Sequence, residues 1–405
     1  MNIIVMKFGG TSVAGINKIK NIVSIVSKQS KKNKIVVVLS AMAGETNKLQ
    51  GYLDEFSSQK SIESDLVLTS GEQVTIGLLS AALKNEGVKS IPLLGWQIPI
   101  ITDDNHEKAK ILKIDSKRIH NYFEDNDVIV LAGFQGINLK GNITSLGRGG
   151  SDTTAVAIAS SINAERCDIY TDVEGVYTTD PNIDQNAKKI SKMAYEEMLE
   201  MSSTGAKVLH TRSVELAMKN NLTLQVLSSL TKEKGTFIVD EKDLIEKEIV
   251  SGVSYSKNEA KVTISGILDK PGISAKIFSL MTENNINVDM IVQNISQDGI
   301  NANITFTVNS NEMEISKKLL EQNKENINFK NISTNSDVAK ISVIGMGMMS
   351  QTGVAEKMFK TLADNKINIL AITTSEIKIS VLISKEYTNE AVKSLHSIYN
   401  LDINE

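Results

Sequence analysis

Two stretches of this chain are copies of one another, and nothing else in it restricts the fold as strongly. Residues 271–291 align without a gap on residues 352–372, at an offset of 81. Seven of the 21 positions are identical: Gly272/Gly353, Lys276/Lys357, Phe278/Phe359, Asn284/Asn365, Ile286/Ile367, Asn287/Asn368 and Ile291/Ile372. Each copy reads as strand, Gly-containing turn, helix, Asn-rich turn, strand. A strand pair and a further helix follow, over 311–325 in the first copy and 389–399 in the second. That is a βαββαβ order, the ferredoxin-like arrangement. The second copy runs out of chain soon after Tyr399, one strand short. Residues 250–255, upstream of the first copy, are the expected donor of that strand, which would insert the first module into the second.

The first 227 residues have a different rhythm. Residues 3–5, 35–39, 128–132, 168–171 and 222–226 are short, apolar and β-branched, bounded by turn residues, and read as buried strands. Ile16, Ile19, Val23 and Val26 recur at three- and four-residue spacing, as on one helix face. Residues 153–162 and 212–219 also read as helices. Strands alternating with helices predict a mostly parallel sheet covered on both faces. Ligands of such sheets bind beyond the carboxyl ends of the strands, so the loops that follow strands carry the information. Residues 228–248 are polar, then densely charged, and read as a connection. A duplicated small module behind an α/β domain suggests catalysis in front and ligand sensing behind. The plainer alternative is a pair of packing modules that build a dimer.

Totals exclude several classes. With 44 Lys+Arg against 48 Asp+Glu the net charge is −4. The chain therefore lacks the global pull of a nucleic-acid or anionic-membrane binder. Mean hydropathy is −0.09, and no uninterrupted apolar run approaches the ~18 residues of a membrane span. The single cysteine, Cys167, permits no intrachain disulfide, and the four histidines are scattered. No metal-ligand set is predicted. A soluble, cytoplasmic protein is expected, with neither nucleic acid nor membrane as partner.

Three post-strand loops suit anionic ligands. Lys7-Phe8-Gly9-Gly10-Thr11-Ser12 follows the first strand and opens a helix. Its glycines let backbone amides approach a phosphate, the helix adds its positive end, and Lys7 adds a cation. No GxxxxGK[ST] occurs, and a plain βα turn has the same outline. Gly147-Arg148-Gly149-Gly150-Ser151-Asp152 closes a long loop. Ser151 or Asp152 can cap the next helix, and Arg148 offers a fork matched to a carboxylate or phosphate. A flexible surface hairpin is the alternative. Residues 171–181 carry polar groups for a ribose or base and end at Pro181. Gly345-Met346-Gly347 imitates a dinucleotide fingerprint, but Ser350 holds the third glycine position, and only about 60 residues remain, too few for that domain.

Taken together and in order, these loops resemble the aspartokinases of the amino-acid kinase family. The matching pieces are KFGGTSV at 7–13, VVVLSAMAG at 36–44 with Thr46 and Asn47, SGE at 70–72, GFQG at 133–136, TSLGRGGSD at 144–152, TDVEGVYTTDP at 171–181 and GAKVLH at 205–210. The repeat resembles paired ACT domains through DKPG at 269–272, VDMIVQN at 288–294 and SEIKISV at 375–381. One departure is Asn182, where the family loop often has arginine; another is Thr211, where proline is common. The resemblance implies a three-layer kinase-type α/β sandwich over 1–248, an ACT domain over 249–335 and another over 336–405. It implies transfer of the γ-phosphoryl group of ATP, with Mg²⁺, to the side-chain carboxylate of L-aspartate. That is an entry step to lysine, threonine, methionine and, in bacteria, diaminopimelate, with feedback by lysine or threonine or both. Homodimers or larger assemblies through the ACT domains are expected.

The same resemblance assigns roles. Lys7, Arg148 and Asp152 form the catalytic set. Ser40, Thr46, Glu72, Gly149, Gly150 and Ser151 complete the aspartate pocket, with Arg148 on the α-carboxylate and Glu72 facing the α-ammonium. Phe8, Gly9 and Gly10 with Lys7, then Thr171, Asp172, Tyr177 and Lys207, hold the nucleotide. Lys270, Gly272, Ile273, Asp289, Gln293 and Asn294 form the effector site. The acceptor carboxylate, with a pKa near ~3.9, is already ionised at neutral pH and needs no general base.

Overall fold

A computed structural model describes residues 1–56, 60–203, 208–231, 233–244, 248–296 and 299–402, the side chains of 349 and 350 excepted. The chain divides into two compact units. Met1–Val176, Lys189–Ser202 and Lys207–Ile245 make the first; Tyr177–Lys188, Ser203–Ala206 and Glu246–Glu405 make the second.

The first unit is built on strands β1 (Asn2–Phe8), β2 (Asn33–Leu39), β3 (Ser90–Leu93), β6 (Val128–Ala132), β9 (Arg166–Thr171), β10 (Lys192–Ala194), β11 (Leu224–Ser228) and β12 (Thr236–Val239). They form one eight-stranded sheet, ordered β10-β12-β11-β9-β1-β2-β6-β3. Every neighbouring pair is parallel except β11 and β12. Alternation along the strands feeds two faces. Ile4, Met6 and Phe8 of β1, with Ile35, Val37 and Leu39 of β2, pack on Ile19, Ile22, Val23 and Val26 of the helix Ile16–Ser30 and on Ile76, Leu79 and Leu83 of the helix Ser70–Asn85. Val5, Val36, Val38, Ile129 and Leu131 point the other way and are equally buried. There the helix Gly150–Ser161 lies on β1 and β9 and against the helix Thr211–Lys219. The architecture is therefore a three-layer α/β sandwich. From β1 the chain moves outward through β2 to one edge, and β9 then takes the other side of β1. Carboxyl-end loops of β1, β2 and β6 therefore diverge from that of β9, which opens a crevice.

Three sequence expectations are corrected here. Ile16 does not join the core stripe; it is 58% exposed, because it is the first residue of its helix. Thr236–Val239, read as part of a connection, is the second strand of the sheet, paired with both β10 and β11. The stretch read as one long loop before Arg148 contains β7 (Gln135–Asn138) and β8 (Ile143–Ser145). With β4 (Ile100–Thr102) and β5 (Ile111–Ile114) these make a second sheet, β5-β4-β7-β8. The helical run Ile62–Asn85 is long and apolar enough to cross a membrane by composition, but half of its apolar window is buried inside the protein, where Leu79 and Leu83 are core.

The second unit is a single six-stranded antiparallel sheet, β14-β15-β13-β16-β18-β17. Its strands are β13 (Gly252–Leu268), β14 (Val288–Ile295), β15 (Asn301–Asn309), β16 (Asn331–Ile344), β17 (Ile369–Thr374) and β18 (Lys378–Ser384). Two long strands each serve both repeats. Glu259–Leu268 of β13 pairs with β15, whereas Gly252–Ser256 pairs with Lys340–Ile344 of β16. That second half of β16 pairs in turn with β18. Each repeat keeps its own core. Val262, Ile264, Ile277, Phe306 and Leu320 fill one; Val253, Ile341, Val343, Met358, Leu362, Val381 and Leu395 fill the other.

Residues Tyr177–Lys188 leave the first unit and fold with the second. Val253 N–H donates to Thr178 O (2.7 Å), and Tyr255 Oη donates to Asp180 Oδ2 (2.8 Å). The fully buried His396 has Nε2 2.8 Å from Thr178 Oγ1 and Nδ1 3.0 Å from Asp184 Oδ2.

A charged cleft at the carboxyl ends of the parallel strands

Lys7 is the penultimate residue of β1, beside Val38 of β2 and Ile169 of β9. The pleat turns it away from Phe8 and toward the helix Gly150–Ser161, where its ammonium lies 2.6 Å from Asp152 Oδ1. That helix starts at Gly150 with Gly149 as its N-cap residue, so Ser151 and Asp152 occupy the first turn rather than the cap. An acidic residue there gains from the helix dipole.

Lys7, Ser40, Thr46, Glu72, Arg148 and Asp152 line one cavity of about 380 Å³, together with Gly149, Gly150 and Ser151. This size suits a small ligand. Phe134 and Asn47, which lie in matched motifs but were assigned no role, also line it.

Glu72 lies in the first turn of Ser70–Asn85 and is 2% exposed. Its Oε1 accepts from the Ala41 amide at 3.0 Å. Its Oε2 is buried with no hydrogen-bond partner among the described residues. Burial raises its pKa to about 7, against the opposing Ala41 hydrogen bond. A buried carboxylate oxygen facing a cavity without a donor is a ready site for a ligand's cationic group.

Arg148 is exposed on the loop before that helix. No hydrogen bond or ion pair engages it among the described residues. Gly149 has φ +70°, and a Cβ on it would lie 2.2 Å from the His210 ring; only glycine passes there.

The cavity thus gathers two cations and two carboxylates at the mouth of the sheet. Opposite charges at its ends can orient a zwitterion, and Lys7 can neutralise an incoming polyanion. Gly10 lines the cavity as well, and the remaining residues predicted to hold the nucleotide lie elsewhere. Phe8 is fully buried and stacked on Tyr170 at 4.4 Å, so only its backbone can meet a ligand. The Gly9 amide is 3.4 Å from the Tyr170 carbonyl. Thr171 and Asp172 sit at the end of β9, with the Thr171 hydroxyl donating to Asp172 Oδ1. Tyr177 belongs to the second unit, and Lys207 lies outside the described residues. Asn182 closes a local turn, its amide and Nδ2 both bonded to Asp180 Oδ1.

In the second unit Gly272 precedes the helix Ile273–Glu283 with φ +90°, and Ile273 is core. Asp289 is paired with Lys340, Gln293 accepts from Ser274 Oγ at 3.2 Å, and Asn294 lies opposite Asn303.

Comparison with known proteins places these features in company. A profile described as amino acid kinase family matches residues 2–228. One described as ACT domain matches 262–323 and 341–399. An aspartate kinase of Pseudomonas putida is 46% identical over 405 residues, covering 99% of this chain and 98% of the relative. Two crystal structures of E. coli aspartokinase III share the fold at 24% identity. One, in complex with aspartate and ADP (R-state), has TM-score 0.80 and covers 98% of this chain and 99% of its own. The other, in complex with lysine and aspartate (T-state), has TM-score 0.77 with the same coverage.

Proposed function

This chain belongs to the amino-acid kinase family as an aspartate kinase with tandem ACT domains, and from that we propose how its residues divide the work. The carrying observation is that Lys7, Arg148, Glu72 and Asp152 share one cavity while Glu72 Oε2 lacks a partner. L-Aspartate is the acceptor. Arg148 takes its α-carboxylate as a bidentate pair, and the ionised Glu72 takes its α-ammonium. Ser40, Thr46, Gly149, Gly150 and Ser151 close around it. Aspartate bound by E. coli aspartokinase III supports this reading.

ATP is the donor, approaching along the carboxyl ends of β1 and β9. Backbone at Phe8, Gly9 and Gly10, together with Thr171, Asp172 and Lys207, forms its site. A β-carboxylate oxygen of aspartate attacks the γ-phosphorus, the bond to the bridging oxygen breaks, and ADP leaves. No proton needs removal from the acceptor, so the enzyme's task is to bring two anions together. Lys7 neutralises charge on the transferring group, and Asp152 holds the lysine in place at 2.6 Å. No group of three His, Cys, Asp or Glu side chains fit for a metal occurs among the described residues. Mg²⁺ characteristically keeps phosphate and water ligands with one or two carboxylates; here it enters as MgATP, part of the substrate.

The second unit serves regulation. Lysine or threonine, singly or in concert, is the effector, bound where ACT modules of two copies meet, near Lys270–Ile273, Asp289, Gln293 and Asn294. Lysine bound by E. coli aspartokinase III supports an amino-acid effector. Inhibition requires different affinity for two enzyme states. The reaction opens biosynthesis of lysine, threonine, methionine and diaminopimelate in the cytoplasm.

Trapping the product with hydroxylamine tests both halves. Aspartate and MgATP are expected to give aspartyl hydroxamate, and millimolar lysine, threonine or both to lower its rate. No hydroxamate overturns the assignment of this site. No response to either amino acid overturns the sensing role alone.

A further inference from the structure

An arginine on an exposed loop selects a ligand only if its backbone is held still, since a displacement of about 1 Å can cost ~10²-fold in rate. Three side chains outside the cavity do the holding here. Asp65, on the helix Ile62–Leu68, is fully buried. Its carboxylate receives the Ser145 hydroxyl, the Glu107 amide at 3.0 Å and His106 Nδ1 at 2.6 Å. Ser145 is three residues before Arg148. Arg212, half-buried, donates from Nη1 to Leu146 O at 2.8 Å and from Nη2 to Ala109 O at 2.9 Å. A guanidinium committed to two backbone carbonyls acts as a clamp between two loops.

Both grips close on the same segment. Residues 106–109 are held by Asp65 at one end and by Arg212 at the other. Gly147 rests on that segment so closely that a Cβ would lie 2.7 Å from Glu107 O. Glu107 itself is in the left-handed region, φ 61°. A non-glycine residue stays there only where its surroundings impose it; the Asp65 hydrogen bond to its amide is such a constraint. The residues on either side of Arg148 are thus fixed while its own side chain stays unengaged.

We propose that Asp65, His106 and Arg212 form a brace that positions Arg148 and so sets discrimination for the α-carboxylate of the acceptor. They are positioning residues, and the inference rests on the reading that Arg148 binds that carboxylate. The test compares aspartate with 3-aminopropanoate, which is aspartate without its α-carboxylate. The readout is the ratio of kcat/KM for the two acceptors, measured by hydroxamate trapping on the full-length enzyme, with thermal midpoints recorded alongside.

Arg148→Ala is expected to lower the ratio about 100-fold. Asp65→Asn and Arg212→Ala are expected to lower it about 10-fold, through KM for aspartate, with KM for ATP within about threefold. Arg212→Lys should recover part of the loss, since one donor still reaches a carbonyl. Combining Arg212→Ala with Arg148→Ala should lower the ratio no further than Arg148→Ala alone, as expected of residues acting through one another. If Arg148→Ala collapses the ratio while Asp65→Asn and Arg212→Ala lower only the thermal midpoint, the brace is merely structural and the proposal fails. If Arg148→Ala leaves the ratio unchanged, the site reading itself falls, and the brace with it.

Discussion

Among the described residues, Glu72 holds a carboxylate with no ion-pair partner and one oxygen unbonded. Burial lifts its pKa to about 7 from an ordinary 4.5, so near neutrality it is only partly ionised. A group raised on folding favours the fold at low pH, and that contribution is lost as pH rises from about 4.5 through about 7. Binding of an ammonium runs the opposite way, because it needs the ionised form. KM for aspartate is therefore expected to rise roughly tenfold per pH unit below about 7. Glu72→Gln should raise KM at pH 8 and abolish that slope; a slope that survives the substitution assigns it to another group. Lys7 makes a different prediction. Lys7→Ala should lower kcat at least about 10²-fold, the scale of losing one transition-state donor, with an unchanged circular dichroism spectrum. Lys7, Glu72, Arg148 and Asp152 were legible because short strings around them resemble a family. Asp65, His106 and Arg212 were not. Their partners lie 41, 80, 66 and 103 residues away, and no local pattern announces a contact at such separation.

Among elements, the segment Tyr177–Lys188 departs most from its reading as a sequence. Residues 171–181 look like one loop after one strand, yet the chain changes unit between Val176 and Tyr177. His396 ties the segment down from the helix Thr388–Ile398. Burial is the first cause lowering its pKa; Asp184 and Asp402 oppose the shift and Lys188 reinforces it. A histidine depressed on folding gives stability that is present above its unfolded value of about 6.5 and is lost as pH falls through that value and below. The thermal midpoint is thus expected to drop between pH 7 and 5, and to drop less in His396→Gln. Equal slopes in the two proteins would remove His396 as the cause. Strands were more legible than caps and edges. The β-branched runs of β1, β2 and β6 are buried on both faces and carry their signal in composition. β12 and the β7–β8 hairpin are short and mixed, and only pairing defines them.

Across the whole molecule, the decisive feature is that β13 and β16 each serve two cores. Gly252–Ser256 completes the second repeat from upstream of the first. Deleting residues 345–405 should therefore do more than remove one module. It would uncover Val253, Ile341 and Val343, which pack on Val381 and Leu395, and is expected to abolish soluble expression or leave 252–256 and 340–344 rapidly exchanging in hydrogen–deuterium exchange. Slow exchange there in the truncated protein would show the first module to be independent. By itself the sequence determined the two architectures, the duplication and the loops that meet phosphate and carboxylate, because periodicity, β-branching and glycine placement act through near neighbours. Tertiary structure alone decided which buried carboxylate would lack a partner, which arginine would be spent on carbonyls, and where one motif would be shared between two units. Those outcomes depend on desolvation and on contacts between residues far apart along the chain, and both arise only once the chain has closed on itself.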